Sequence, residues 1–489
     1  MKRGNCRCQR NCAMFPDVPA AHQGEGAILK TPVRHGLWWR TEKDRTMARK
    51  KTLLAVVADE SGEVFEHPEL LMAGMNGMTP RLPREDELIP LPEGSRLFTI
   101  PGTPPMGFDR KSGQLRTVDA LPRSWGGGPI QAVSAFMTPA FTRTLLPAAA
   151  YRRKAVQLPL WAYTAVGWCV EEERFYVAAV RVDRNNQWDP QHFDDRQLDP
   201  LVRATLRQYP DNRLYEQLSR CAVDYHCFAA KNLFFARWEA PLPTSPICNS
   251  RCLGCISLQE APECCPSSQE RLTFVPTVQE LCEVAVPHLQ QAENAIVSFG
   301  QGCEGDPILQ ADTICEAVRE MRRQTPRGTI NFNSNASIPA AIDRLAAAGV
   351  DSVRISLNSV QEPFYNAYYR PRGYRFADVI DSVHRAKKAG MFTMLNYLVY
   401  PGLTDRPDEV EALLALIESA GVDLIQMRNL SIDPTMYWDA MGVSGEGMGM
   451  KKMLDTIKEK VPRIQYGYFN RTREMFYPAG YETDWPLPA

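Results

Sequence analysis

Cys248, Cys252 and Cys255, in the run "PICNSRCLGCISLQ", form a C-x3-C-x2-C triplet with no fourth ligand at the usual distance. Three thiolates at this spacing can wrap one corner of a small inorganic cluster and leave one metal to another ligand. A structural zinc ion would want four protein ligands, usually as two separated pairs. Cys264 and Cys265 keep that alternative open, although adjacent cysteines in a Pro/Ser loop also suit a plain turn. Nine of the fourteen cysteines lie from Cys221 to Cys303, Cys315 follows, and none comes after it. Any metal site therefore belongs to the middle of the chain. Cys282 and Cys315 sit in apolar helical patterns and read as small core residues.

The elements that must carry this loop show in the rhythm of the chain after about residue 230. Candidate strands are "NLFFARW", "NAIVSF", "TINFN", "DSVRISL", "FTMLNYLV" and "DLIQM". Helical patterns such as "ILQADTICEAVREMRR", "IPAAIDRLAAAG", "FADVIDSVHRAKKAG" and "PDEVEALLALIESAG" lie between the later ones. Strands joined by helical crossovers predict a parallel α/β sheet, because parallel neighbours need long connections. Within the strands, Val353, Ile355 and Leu357 alternate with Ser352, Arg354, Ser356 and Asn358. Asn331, Asn333 and Asn335 oppose Ile330 and Phe332, and Gln426 and Arg428 oppose Ile425 and Met427. If helices cover the apolar face, the polar face looks inward. Polar groups there are costly unless paired, so a hydrogen-bond network or a polar ligand must fill the interior.

Residues 1–46 lack apolar periodicity and precede "MARKKTLLAVVAD", so they read as a disordered extension or an upstream mis-start before Met47. Cys6, Cys8 and Cys12 are then incidental; the rival reading is a flexible metal-binding tail. Residues 47–229 mix strand-like runs ("LFTIPG", "LWAYTAVGWCV", "RFYVAAVRV") with the helical "LDPLVRATLRQY" and predict a smaller α+β accessory domain. Residues 230–430 are the β/α unit, and 431–489 a C-terminal extension. The Trp125–Pro129 glycine run reads as a turn, since no Lys-Ser/Thr follows to hold a nucleotide phosphate.

With 489 residues, 44% of them hydrophobic, the chain is long enough for two or three folded domains. Its 56 Lys+Arg against 57 Asp+Glu exclude a global field toward nucleic acid or anionic membrane. No run approaches the about 20 consecutive apolar residues that a membrane span needs. The expectation is a cytoplasmic protein with no membrane contact.

Taken together, the triplet after the first strand of a six-strand β/α series resembles the radical S-adenosylmethionine (radical SAM) superfamily. The resemblance covers about residues 230–430. It implies a partial (β/α)6 TIM-like barrel, here preceded by the α+β domain, and a 4Fe–4S cluster held by Cys248, Cys252 and Cys255. The open iron would chelate S-adenosylmethionine, whose reductive cleavage gives a 5′-deoxyadenosyl radical for hydrogen abstraction. A reducing partner such as flavodoxin or ferredoxin is implied with it.

Further motifs carry the resemblance. "FGQGCEGDPIL" is similar to the family's Gly-Gly-Glu-Pro loop, with Gly302-Cys303-Glu304 and Gly305-Asp306-Pro307 as alternative alignments, so Gly302, Glu304 and Asp306 are cofactor-binding candidates. Asn333, Asn335, Arg354, Ser356 and Asn358 fall where family members contact the methionyl carboxylate and ribose. Arg354 suits the carboxylate because its fork can pair two oxygens; a structural ion pair with a barrel acid is the alternative. "LNYLVYPGLTD" and "LIQMRNL" resemble the adenine-side motifs and offer Asn396, Tyr397, Tyr400, Met427 and Arg428. Cys303, in the cofactor-facing loop, is either a packing residue or a thiol that quenches a radical. One departure is Gly254, where the family commonly carries an aromatic residue before the third cysteine.

The substrate is not named by these motifs. "NSVQEPFYNAYYRPRGYRF" interleaves tyrosines with arginines and could stack bases and neutralise phosphates. Without a global basic excess a peptide or small-molecule substrate is favoured, with RNA held open. The rival classes are a non-catalytic iron–sulfur or zinc protein and an RNA-binding adaptor.

Overall fold

Polar and apolar residues alternating along short runs, separated by helix-forming stretches, build a curled parallel sheet of seven strands. The computed structural model describes residues 51–153, 157–259, 267–443 and 445–487. Met47, Cys6, Cys8, Cys12, Cys264 and Cys265 lie outside the described residues. The strands are β1 (Arg237–Pro241), β2 (Glu293–Phe299), β3 (Thr329–Ser334), β4 (Ser352–Leu357), β5 (Phe392–Val399), β6 (Leu424–Asn429) and β7 (Gln465–Gly467). They pair in chain order, each parallel to the next. The helices between them are α1 (Val278–Gln291), α2 (Ala311–Gln324), α3 (Pro339–Ala348), α4 (Glu362–Tyr369), α5 (Phe376–Lys388), α6 (Pro407–Ala420), α7 (Pro434–Met441) and α8 (Met450–Lys460). This is a partial TIM-type barrel.

Two expectations about its strands are corrected. "NLFFARW" is not one strand: Phe228–Phe234 is helical, and β1 begins at Arg237. A short apolar run fits a buried helix turn as well as a strand, and Ala230, Leu233 and Phe234 are buried as such a turn. The sheet also gains β7, only three residues long, from the stretch set aside as a C-terminal extension.

Burial follows the alternation. In β4, Val353, Ile355 and Leu357 are fully buried beneath the helices, while Arg354 and Ser356 are half-buried on the other face. Register sets Asn331 beside Ser352 and Asn333 beside Arg354, and aligns Ser356, Asn396 and Gln426 across β4, β5 and β6. The inner face is therefore polar rung upon rung. Gly349 and Gly421 cap α3 and α6 with φ of +111° and +69°, a conformation that costs glycine least.

Ahead of the barrel, strands between Leu53 and Arg181 form a ten-stranded antiparallel sheet, followed by helices Leu198–Gln208, Arg213–Val223 and Phe228–Phe234. Some of this region's buried side chains, Ile100, Ala132, Val180 and Val182 among them, join the barrel's core, while others form separate clusters within the sheet. Arg143, 1% exposed, donates to the carbonyls of Tyr163, Val399 and Leu430 and so ties the sheet to the ends of β5 and β6. Asn76 likewise donates to buried Asp405 at 2.6 Å. Among the described residues no helix is long and apolar enough to cross a membrane.

Candidate functional site

The connection from β1 to α1 carries the cysteine triplet at the C-terminal ends of the strands, where β/α proteins build their sites. Backbone bonds hold the start of this loop: Gly305 N–H donates to Ser245 O at 2.6 Å and Asp306 N–H to Ile247 O at 2.9 Å. A Cβ on Gly305 would stand 1.9 Å from Ile247 O, so only glycine lets the two loops touch. Between the first two cysteines, Asn335 Nδ2 donates to Asn249 Oδ1 at 2.8 Å and to Ser250 Oγ at 3.1 Å. Farther along, Arg251 and Leu253 N–H groups donate to the carbonyls of Tyr369 and Tyr368, both at 2.9 Å.

Cys248, Cys252 and Cys255 are partly buried free thiols. Burial pushes Cys248 up to about 11 and Cys252 far up, and the proximity of Cys255 and Asp306 adds to both. Ser250 N–H donates to Cys248 Sγ at 3.4 Å, and Arg271 Nη2 reaches Cys255 Sγ at 3.6 Å. Three thiolates crowded in a desolvated loop repel one another unless a cationic centre draws them together, and metal binding supplies that. Among the described residues no three Cys, His, Asp or Glu side chains converge as ligands of a single metal ion. A cluster asks something different of its thiolates, since each meets its own iron. The donor set fits a cluster.

In the loop after β2, Glu304 is buried and spends both carboxylate oxygens on backbone. Thr244 and Ser245 N–H donate to Oε2 at 2.7 and 2.8 Å, and Gly300 and Gln301 N–H to Oε1 at 2.7 and 2.9 Å. Burial raises its carboxyl to about 7 against these four bonds, which favour the anion. Asp306 accepts from Ile308 N–H at 3.1 Å, Ser334 Oγ at 2.6 Å and Asn335 N–H at 2.7 Å. The two acids thus brace the loops after β1, β2 and β3. Gly302 packs against Ile256, just past the third cysteine.

Inside the barrel, Glu239 Oε1 accepts from Ser298 Oγ at 2.5 Å and Asn470 Nδ2 at 2.6 Å. Asn331 donates to Asn333 and Ser298, Ser352 to Asn331, and Gln426 to Asn470. Asn333 Nδ2 donates to Phe299 O at 2.7 Å. Above this floor Arg354 donates to Gln426 Oε1 at 3.1 Å, Asn396 to Ser356 Oγ at 3.1 Å, and Arg428 to Tyr468 O at 2.8 Å. The structure therefore gathers Asn333, Arg354, Ser356, Asn396 and Arg428 on one interior. Asn335 sits at the rim, and Asn358 lies fully buried below α4, donating to Phe364 O at 3.2 Å. Met427 is not with them: it is fully buried in the hydrophobic core, on the strand face opposite Gln426 and Arg428. Tyr397 and Tyr400 are fully buried too. A cleft of about 490 Å³ opens beside β1, β2 and β7, with Glu239 and Asn470 in its wall.

The tyrosine–arginine segment behaves differently from a base-stacking loop. Tyr365, Tyr368 and Tyr369 are buried on α4, and their rings pack on each other and on Tyr437. Tyr374 OH meets Ser250 Oγ at 2.7 Å and Tyr365 OH at 3.0 Å. The segment roofs the cysteine loop. A Cβ on Gly254 would lie 3.2 Å from Tyr368 OH, so the phenol fills space beside that glycine. The helical i, i+3, i+4 spacing of the three tyrosines was the sequence signal for a buried stripe. Cys303 is buried in the core against Cys221.

Residues 242–417 match the family model described as the radical SAM superfamily. The FeMo cofactor biosynthesis protein NifB of Klebsiella pneumoniae is 24% identical over 214 residues, 41% of this chain and 45% of that protein. A GTP 3′,8-cyclase of Mycobacterium ulcerans is 29% identical over 195 residues, 39% of this chain and 50% of that one. The chain thus spans about half the length of these curated relatives. Among solved structures, HydG, a maturase of the [FeFe]-hydrogenase, aligns with a TM-score of 0.34 at 16% identity, over 56% of this chain and 67% of that one. The family model lies on the strands, loops and cysteines described above, so residues 242–417 are similar to the radical SAM superfamily, whose members bind a 4Fe–4S cluster and S-adenosylmethionine.

Proposed function

We propose that the chain is a radical SAM enzyme whose cluster is held by Cys248, Cys252 and Cys255. The observation that carries this reading is the meeting of three loops, after β1, β2 and β3, over one polar interior. When bound, the cluster and S-adenosylmethionine supply one-electron reductive cleavage and a 5′-deoxyadenosyl radical that takes hydrogen from a substrate.

The chain's own residues divide the remaining work. Glu304 and Asp306 act as positioning residues, since their oxygens are engaged by backbone and Ser334 and hold the loop at Gly302 in shape. Backbone groups there would hold the methionyl amino group. Arg354 receives the methionyl carboxylate, because its guanidinium has a single amide partner. Ser356 and Asn396, which among the described residues bond only each other through their side chains, serve the ribose side, and Asn333 and Asn335 fix the rim. The helical roof from α4 limits water at the cysteine loop. Free thiols throughout the described residues suit a reducing compartment such as the cytoplasm, with a small reductant protein of the flavodoxin or ferredoxin type as electron donor.

The relatives' names point to the biosynthesis of small cofactors, and the tyrosines of α4 are spent on packing. A small-molecule substrate is favoured over RNA. The test is anaerobic reconstitution followed by assay of 5′-deoxyadenosine under strong reductant. Wild-type protein is expected to hold about one cluster and to release the nucleoside, and the triple alanine variant of the three cysteines to do neither. Full iron content in that variant would refute the assignment.

A further inference from the structure

Two arginines stand on the inner face of the barrel without an acid to pair with. Arg354 bonds only the amide of Gln426, its buried Nε has no partner, and it makes no ion pair among the described residues. Arg428 bonds only the carbonyl of Tyr468, lies 4.4 Å over that residue's ring, and likewise makes no ion pair. Glu239 is buried below them, but its Oε1 is taken by Ser298 and Asn470. Burial and the nearby charge of Arg428 depress Arg354 to about 9, only partly offset by Glu239. Like charges facing one partly desolvated space repel one another unless something neutralises them. A guanidinium fork is matched by an oxyanion with two oxygens.

S-adenosylmethionine brings one carboxylate, which meets one of the two forks. We propose that the other, Arg428, receives an acidic group of the substrate, so that the substrate is an oxyanion-bearing small molecule, a carboxylate or a phosphate, seated against β6 and Tyr468. This rests on the reading that Arg354 takes the methionyl carboxylate. Arg428 suits the substrate role because it lies next to Tyr468, just past β7, on the side of the sheet where the strands do not close.

The test uses the full-length reconstituted protein, saturated with S-adenosylmethionine and titrated anaerobically with inorganic phosphate by calorimetry, with chloride at matched ionic strength as reference. Wild-type protein should bind phosphate saturably. R428Q should weaken phosphate at least tenfold, whereas R428K, which keeps the charge, should stay within about threefold. Circular dichroism confirms that both variants are folded. R354Q should weaken S-adenosylmethionine at least tenfold and leave phosphate bound. Phosphate affinity unchanged in R428Q, absence of saturable binding in the wild type, or one-for-one displacement of phosphate by S-adenosylmethionine would each overturn the proposal. Arg428-dependent phosphate binding in a protein that fails to bind S-adenosylmethionine would uphold the anion site and remove the cofactor reading instead.

Discussion

At the scale of single residues, the acids named from the sequence turn out to act through backbone. Glu304 is legible from the resemblance of its loop after β2 to a family motif, but its four N–H partners come from two loops 55 or more residues apart, and no sequence spacing announces them. His288, on α1, is a plainer case. It is buried, bonds Trp238 O at 2.7 Å and so fastens α1 to β1, and burial lowers it to about 4. The folded state keeps the ring neutral where the unfolded chain, near 6.5, takes a proton. The neutral ring's contribution is therefore full above pH 6.5 and is lost as pH falls from 6.5 toward 4. Between pH 7.5 and pH 5 it should cost about 2 kcal/mol of unfolding free energy. Urea unfolding at both pH values checks this, and His288→Gln should remove most of that slope.

Elements were read well where the alternation was long. β2 to β6 and helices α2, α3, α5 and α6 follow from their periodicity, whereas β1 is displaced, β7 is too short to register, and the α4 segment reads as a base-stacking surface. The last error came from composition: tyrosines and arginines suggest a binding surface, but three tyrosines spaced for one helix face mean burial. α4 is the platform on which the cysteine loop rests, through the carbonyls of Tyr368 and Tyr369. Tyr368→Ala should cost about 3–5 kcal/mol by opening a cavity beside Gly254, and iron retained per chain after desalting should fall. Tyr368→Phe keeps the ring, so its iron content should match wild type. Equal iron in both variants would mean that the platform does not support the site.

For the whole molecule, part of the strand-rich region ahead of the barrel is packed into the barrel's core, and the sequence could not show this because the contacts join residues more than 250 apart. Arg143 to Val399 and Leu430, and Asn76 to Asp405, are such contacts. Thermal unfolding followed by calorimetry should accordingly give a single transition, and Arg143→Ala should lower stability by about 3 kcal/mol, since buried carbonyls lose their donor. Two separated transitions would show the parts to be independent. The central claim, that three thiolates leave one iron open to S-adenosylmethionine, is tested most directly by electron paramagnetic resonance of the reduced cluster before and after that molecule is added. The expected result is a clear change in g-values in wild-type protein. An identical spectrum with and without it, in protein that holds a full cluster, would contradict the account.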